Sequence, residues 1–229
     1  GALDHIAALT SGLSRRAVIQ KQLLPVLLQW FSEGTDPDAA LLAFRRLSED
    51  LGESHWYLRM LRDSSGAAER MTQVLSNSRL ATNLFERIPE AAAWFERSED
   101  LIPMTAAELE AEFDAVISRH EVVDTAANLI RNIRRRETLR IAIGAVLGDL
   151  TIAQLSQGLS DLTAGYLRAM LDVATDLNGS DIAAGDVNKI LDFGIIAMGR
   201  FGGEELGFGS DADVMFVYKT KPGIDGSVA

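Results

Sequence analysis

The sequence contains no cysteine, and this absence removes several classes of protein at once. A chain without thiols cannot build a disulfide scaffold, bind zinc through cysteine ligands or use a cysteine nucleophile. Proline is also scarce, with 5 residues against 19 glycines, which excludes a proline-rich linker protein and a collagen-like repeat. The composition fits a globular protein of a reducing compartment.

Basic residues are the minority among the charged ones. There are 22 Lys+Arg against 33 Asp+Glu, and the net charge is -11. Non-specific nucleic-acid binding needs an excess of cations to neutralise phosphates, so no nucleic-acid partner is predicted. The longest apolar run, Ile141 to Leu147, is far shorter than the ~18 residues of a membrane-spanning helix. The stretch from Gly1 to Ser14 has no secretory signal pattern, so we expect a cytoplasmic protein, or a piece of one, without a membrane partner.

Most of the chain has the hydrophobic pattern of helices. Hydrophobic residues make up 47% of the 229 residues, enough for a core, and helical periodicity runs from about Ser14 to Asn178. Asp36 followed by Pro37 predicts one helix start, and Thr105 three residues before Glu108 predicts another through a capping box. Connections between the predicted helices are short. The pattern indicates a bundle of roughly eight or nine helices.

Two long helices are predicted to close this region, over Val123 to Leu147 and over Thr151 to Leu177. The first carries a cluster of arginines in an otherwise acidic protein: Arg131, Arg134, Arg135, Arg136 and Arg140. The simpler interpretation is a solvated face with local carboxylate partners. The alternative is that some of these arginines face a nucleotide or a regulatory partner.

The composition changes near residue 185. A short apolar run over Phe193 to Gly199 predicts a buried strand, and a glycine-rich stretch leads to a second predicted strand over Asp211 to Tyr218. We therefore predict two domains, a helical one over 1–185 and the start of an α/β domain over 186–229. The expected fold is mainly α, a helical bundle followed by the first strands of a unit that the chain does not complete.

Two aspartates open the second predicted strand. Alternation along a strand would place Asp211 and Asp213 on one face, where their charges repel unless a cation lies between them. Mg²⁺ suits such a pair, because it takes oxygen ligands and keeps positions for phosphate oxygens. The glycines before them allow the backbone to approach phosphates, and free N–H groups in such loops bind anions. An Asp-x-Asp or a Gly-Gly alone is usually only a turn or a strand end, but the complete order predicts a site for a metal-bound nucleoside triphosphate.

This order resembles the nucleotidyltransferase superfamily of DNA polymerase β, in which a glycine pair precedes an Asp-x-Asp by roughly ten residues. Gly199 and Arg200 occupy the first pair here, with arginine in place of the second small residue. The longer string from Gly199 to Phe216 resembles the bifunctional glutamine synthetase adenylyltransferases. Each of these long chains carries two nucleotidyltransferase halves, one that adds AMP to a tyrosine of glutamine synthetase and one that removes it.

The resemblance implies a set of roles and partners. Asp211 and Asp213 would be catalytic and would hold Mg²⁺, and a third carboxylate is expected on a later strand, after this chain ends. Glutamine synthetase would be the substrate, a PII-type signalling protein would be a partner, and the reaction would regulate nitrogen assimilation. The residues implied in binding ATP are Gly199, Arg200, Gly202, Gly203 and Ser210.

The segment Leu206-Gly207-Phe208 is closer to the half that adds AMP, where Leu-Gly-aromatic is usual. Two alternatives stay open, the AMP-removing half of the same enzyme and a helical interaction module without a competent site. A uridylyltransferase of the PII protein or a small-molecule nucleotidyltransferase is a third option. The helical region and the Gly-Gly-x-Glu-Leu string argue against it.

Overall fold

The computed structural model describes residues 1–177 and 190–224. The described part is mainly helical and carries a two-stranded antiparallel sheet towards its C-terminal end. The chain divides into two compact units. The helical unit comprises Gly1–Ile102 and Thr138–Thr151, and the hairpin unit comprises Pro103–Glu137 and Ile152–Ala229. The predicted domain boundary between 185 and 186 lies outside the described residues and stays a prediction.

The helical unit consists of short α-helices followed by two 3₁₀ helices. The α-helices are α1 (Ala2–Thr10), α2 (Arg15–Ser32), α3 (Pro37–Asp50), α4 (His55–Asp63), α5 (Ser65–Asn77) and α6 (Arg79–Phe85). The 3₁₀ helices cover Pro89–Glu96 and Ser98–Leu101. Helix α1 was missed, because the predicted helical pattern began only at about Ser14.

Local capping explains several helix starts in this unit. Asp36 caps α3 by accepting a hydrogen bond from the N–H of Ala39 at 3.2 Å, and Pro37 occupies the first helical position, as predicted. Ser14 and Ser78 cap α2 and α6 in the same way. These short polar side chains satisfy amide groups that the first turn of a helix leaves without a partner.

Aromatic side chains form the centre of the helical unit. Phe31 and Phe44 meet edge to face with ring centroids 5.9 Å apart, and Phe85 stacks on Phe95 at 5.7 Å. Tyr57 is fully buried, and its hydroxyl forms a 2.8 Å hydrogen bond with the hydroxyl of Ser48. Burial raises the pKa of the Tyr57 phenol, so this group stays neutral in the core.

The hairpin unit combines longer helices with the sheet. Its elements are α7 (Ala106–Arg119), part of α8 (Val123–Leu147), α9 (Ile152–Asp172) with a π-helical turn at Val173–Leu177, strand β1 (Leu191–Ala197), the short helix α10 (Gly199–Gly202) and strand β2 (Val214–Thr220). Helix α7 packs against α9. The predicted capping box holds α7, with Thr105 and Glu108 bonded to each other's backbone N–H groups.

Helix α8 has the bounds that the sequence predicted. Within the hairpin unit, Arg136 forms a two-pronged ion pair with Glu112, at 2.9 and 2.5 Å, and also contacts the buried carboxylate of Glu137. The hydrogen bonds that Arg136 donates to Glu112 raise the pKa of its guanidinium. Arg134 lies over the ring of Tyr166, and Arg140 of the helical unit lies over Trp94. These three arginines of the cluster therefore have structural neighbours on the protein itself.

None of the helices in the described ranges combines the length and the apolar character needed to cross a membrane.

Candidate functional site

The predicted motif lies between the two strands of the hairpin. The strands pair in antiparallel register from Leu191 opposite Thr220 to Ala197 opposite Val214. The N–H of Met198 adds one more bond, to the carbonyl of Asp213 at 2.9 Å, before the chain turns into α10. The register thus brings the first glycine of the motif close to its last aspartate.

The strand bounds differ from those predicted. The first strand ends at Ala197, so Gly199 belongs to α10, and the second begins only at Val214. Asp211 and Asp213 therefore precede β2, and the alternation of a strand does not set their directions. The reason is that β1 gives way to α10 after Met198, which leaves residues 211 and 212 without a strand to pair with.

Gly199 is placed under two independent constraints. Its φ is +54°, in the left-handed region that residues with a side chain rarely adopt. A Cβ on this residue would lie 2.8 Å from Oδ2 of Asp213. The missing side chain therefore allows the carboxylate of Asp213 to lie directly on the backbone of the turn.

The two later glycines of the motif have a structural role. A Cβ on Gly202 would lie 2.6 Å from the carbonyl oxygen of Ala197. The N–H groups of Gly202 and Gly203 donate to the carbonyls of Met198 and Gly199, at 2.9 and 3.0 Å. In the described structure these two amides hold the turn and are not the free donors that the sequence led us to expect. Their implied contact with ATP stays a prediction.

The loop after α10 is held by buried side chains and by its own hydrogen bonds. Phe201 and Leu206 are buried, with 6% and 4% of their surfaces exposed, and they anchor the start and the middle of the glycine-rich stretch. Ser210 closes the loop, because its hydroxyl accepts from the N–H of Gly207 at 3.0 Å. Glu204 takes a positive φ of 58°. Sequence reasoning missed the anchoring role of Phe201 and Leu206, although two large apolar residues among glycines were a usable signal.

The two aspartates are exposed, as is Arg200. Among the described residues, no group of three or more His, Cys, Asp and Glu side chains is arranged to hold a metal ion. Mg²⁺ is commonly held by only one or two protein carboxylates together with substrate phosphates, so an Asp-x-Asp pair is a suitable donor set for it.

Both faces of the hairpin carry exposed apolar side chains. Phe216 and Tyr218 are 62% and 68% exposed on one face, and Met215 is 47% exposed on the other. Phe193 stacks on Phe216 with ring centroids 5.9 Å apart. A groove of about 270 Å³ lies between β1 and α9. Within the described ranges the sheet has two strands, and such a sheet is marginally stable without further packing.

Comparison with known proteins places the chain in one family. A family model described as glutamate-ammonia ligase adenylyltransferase matches residues 68–228. The chain is similar to proteins named bifunctional glutamine synthetase adenylyltransferase/adenylyl-removing enzyme. It is 57% identical to that of Leifsonia xyli, over 96% of this chain and 21% of the relative. For those of Cutibacterium acnes and Streptomyces avermitilis the identity is 42%, over 97% and 98% of this chain and 22% and 24% of the relatives.

The chain thus spans between a fifth and a quarter of the length of these curated relatives. The predicted resemblance is confirmed at the level of the family. The chain belongs to the glutamate-ammonia ligase adenylyltransferase family.

Proposed function

We propose that this chain is part of an enzyme that transfers AMP from ATP to a tyrosine of glutamine synthetase. The turn between β1 and β2 carries the proposal, because Gly199 packs on the carboxylate of Asp213 in a chain of the adenylyltransferase family. The helical region 1–185 would precede a nucleotidyltransferase domain that begins at 186. The same proposal includes a PII-type partner and a cytoplasmic location. By modifying glutamine synthetase, the enzyme would regulate nitrogen assimilation.

The residues of the turn would have separate roles in binding the metal and ATP. Asp211 and Asp213 would supply oxygen ligands to Mg²⁺, and Arg200, exposed at the start of the turn, would contact the phosphates of ATP. When bound, Mg²⁺ would neutralise phosphate charge and stabilise the attacking and leaving oxygens. In the reaction the tyrosine hydroxyl oxygen forms a bond to the α-phosphorus and loses its proton, the bond between the α-phosphorus and the oxygen bridging to the β-phosphate breaks, and pyrophosphate leaves.

The direction of the reaction is assigned to AMP addition. The segment Leu206-Gly207-Phe208 supports this assignment, since Leu206 is buried while Phe208, three residues before Asp211, is 41% exposed. An exposed aromatic residue in this loop is available to contact an entering acceptor. The aspartates themselves do not distinguish the directions, because attack at the same phosphorus serves addition by tyrosine and removal by inorganic phosphate.

The test uses the full-length enzyme with Asp213→Asn and, as a matched control, Asp192→Asn on the same hairpin. Asp192 is exposed and pairs with Lys221 at 2.8 Å, at the opposite end of the strands. We expect Asp213→Asn to lower AMP incorporation by at least about 100-fold, since several kcal/mol of charge stabilisation are lost. Asp192→Asn should retain activity. Equal incorporation by the two variants would refute the assigned site.

Direction is tested by dividing the full-length enzyme and assaying the half that contains residues 199–218. It is incubated with unmodified glutamine synthetase and MgATP, and separately with AMP-modified glutamine synthetase and phosphate. AMP uptake in the first mixture supports addition. ADP release in the second, with no uptake in the first, would assign this chain to the AMP-removing half. No reaction in either mixture would favour a non-catalytic helical module.

A further inference from the structure

We propose that a cavity of about 370 Å³ in the helical unit is a binding site for a phosphate group. It lies where the first turn of α2 meets the loop and the first turn of α4. Arg15, Arg16 and His55 line it, and Glu53 is the one carboxylate among its lining residues. None of these residues belongs to the glycine-rich turn, so the proposal does not depend on the assigned catalytic site.

Arg16 is already held in place at this cavity. Its Nη1 donates to the carbonyl of Ser48 at 3.2 Å. A Cβ on Gly52 would lie 2.6 Å from both Cδ and Nη1 of Arg16, so the side chain rests directly on the glycine backbone. A guanidinium has five N–H donors, and the bond to Ser48 uses one of them. Arg16 therefore offers further donors from a fixed position, which lowers the entropic cost of binding an anion.

Arg15 and His55 form neither a hydrogen bond nor an ion pair with the described part of the chain, and both are exposed. Other arginines of the helical unit differ in this respect, since Arg46 pairs with Glu86 and Arg70 with Asp149. The charge of Arg15 also acts on Asp63, a carboxylate that does not line the cavity and whose pKa is lowered chiefly by its hydrogen bonds with Arg62. Arg15 and Arg16 are neighbouring guanidinium groups, and a bound anion would relieve their mutual repulsion.

The chemistry of the lining favours phosphate. Two guanidinium forks and an imidazole suit an anion that has several oxygens and more than one charge. Ser54, the residue before α4, makes no cap hydrogen bond, so amides of the first turn remain available near the same cavity. This feature adds to the charged side chains, which carry the inference.

The experiment is a titration of the ¹⁵N-labelled chain with inorganic phosphate, followed by amide chemical shifts, with sodium chloride at equal ionic strength as the reference. We expect saturable shifts confined to residues 14–16 and 52–58 with phosphate and none with chloride. A parallel titration with AMP distinguishes the sources, since tighter binding of AMP identifies a phosphate ester and tighter binding of phosphate a free anion. Shifts that do not saturate, or that chloride reproduces, would overturn the proposal.

Two variants make the test specific. Arg15→Gln should weaken phosphate binding by about tenfold, the value of one hydrogen bond between charged groups. Arg59→Gln is the matched control, because Arg59 is exposed on α4 and does not line the cavity. His55→Gln provides an independent second variant and should weaken binding as well. Equal affinities of the Arg15→Gln, His55→Gln and Arg59→Gln proteins would refute the site.

Discussion

Gly199 is the residue at which backbone geometry and the proposed chemistry meet. Its positive φ and its contact with Asp213 act in the same direction, since each excludes a side chain. An alanine here would strain the backbone by roughly 1–3 kcal/mol and push the carboxylate away. The residue therefore fixes the position of a proposed metal ligand without touching the metal itself.

We predict that Gly199→Ala lowers AMP incorporation by the full-length enzyme by more than about tenfold, because displacing a ligand by 1 Å can cost more than that. Gly209→Ala is the control. Gly209 lies in the same loop, has no positive φ, and a Cβ added to it would have no neighbouring atom within 4 Å. Comparison of initial rates for the two variants checks the prediction, and a fully active Gly199→Ala enzyme would contradict it.

At the scale of an element, the capping box of α7 is a sequence signal whose contribution to stability can be measured. The backbone N–H and the hydroxyl of Thr105 hold the pKa of the Glu108 carboxyl below its ordinary value of 4.5. Because the pKa of Glu108 is lower in the folded state, the ionised carboxylate stabilises the fold at pH values above its ordinary pKa. This stabilisation is lost as the pH falls through the lowered pKa of the folded state.

Thr105→Ala should therefore reduce the free energy of unfolding by about 1 kcal/mol at neutral pH, the usual value of an N-cap. It should also bring the pKa of Glu108 back towards its ordinary value. Thr163→Ala is the matched control, since the hydroxyl of Thr163 bonds to the carbonyl of Leu159 within α9 and caps no helix start. Urea denaturation and carboxyl NMR titration check both points. An unchanged free energy of unfolding in Thr105→Ala would show that the capping box does not form in solution.

The hairpin shows where element prediction from sequence stopped. The apolar runs predicted both strands, but the ends of β1 and β2 depend on their register and on the turn into α10. Alternation along the sequence placed Asp211 inside a strand, whereas pairing ends at Asp213. Strand ends are set by the partner strand, which the local sequence does not encode.

At the scale of the whole molecule, the exposed apolar faces of the hairpin are consistent with the greater length of the relatives. The strands expose apolar side chains on both faces, and the chain covers 21% to 24% of its relatives. In the described structure two strands form the sheet, and such a sheet is marginally stable without further packing. We predict that, in the proposed full-length enzyme, residues outside the described ranges cover these faces.

We therefore predict that this 229-residue chain alone transfers no measurable AMP to glutamine synthetase. Its helical unit should nevertheless be folded, because a large apolar core is buried there. Labelled ATP measures the transfer, with the full-length enzyme as the positive control. Amide hydrogen exchange should show protection in α3 and α5 and faster exchange in β1 and β2. Transfer by the isolated chain would show that the hairpin needs no further cover.

The sequence by itself determined the family, most of the helices and the identity of the proposed site residues. Three local signals can be read without a structure: helical periodicity, the caps at Asp36 and Thr105, and the spacing from Gly199 to Asp213. Only the tertiary structure showed that the backbone N–H groups of Gly202 and Gly203 form hydrogen bonds within the turn, and that Ser210 closes the loop. It also brought Arg15, Arg16 and His55 to one cavity. The physical reason is that hydrogen-bond partners and shared cavities depend on residues distant in sequence, which periodicity and spacing do not bring together.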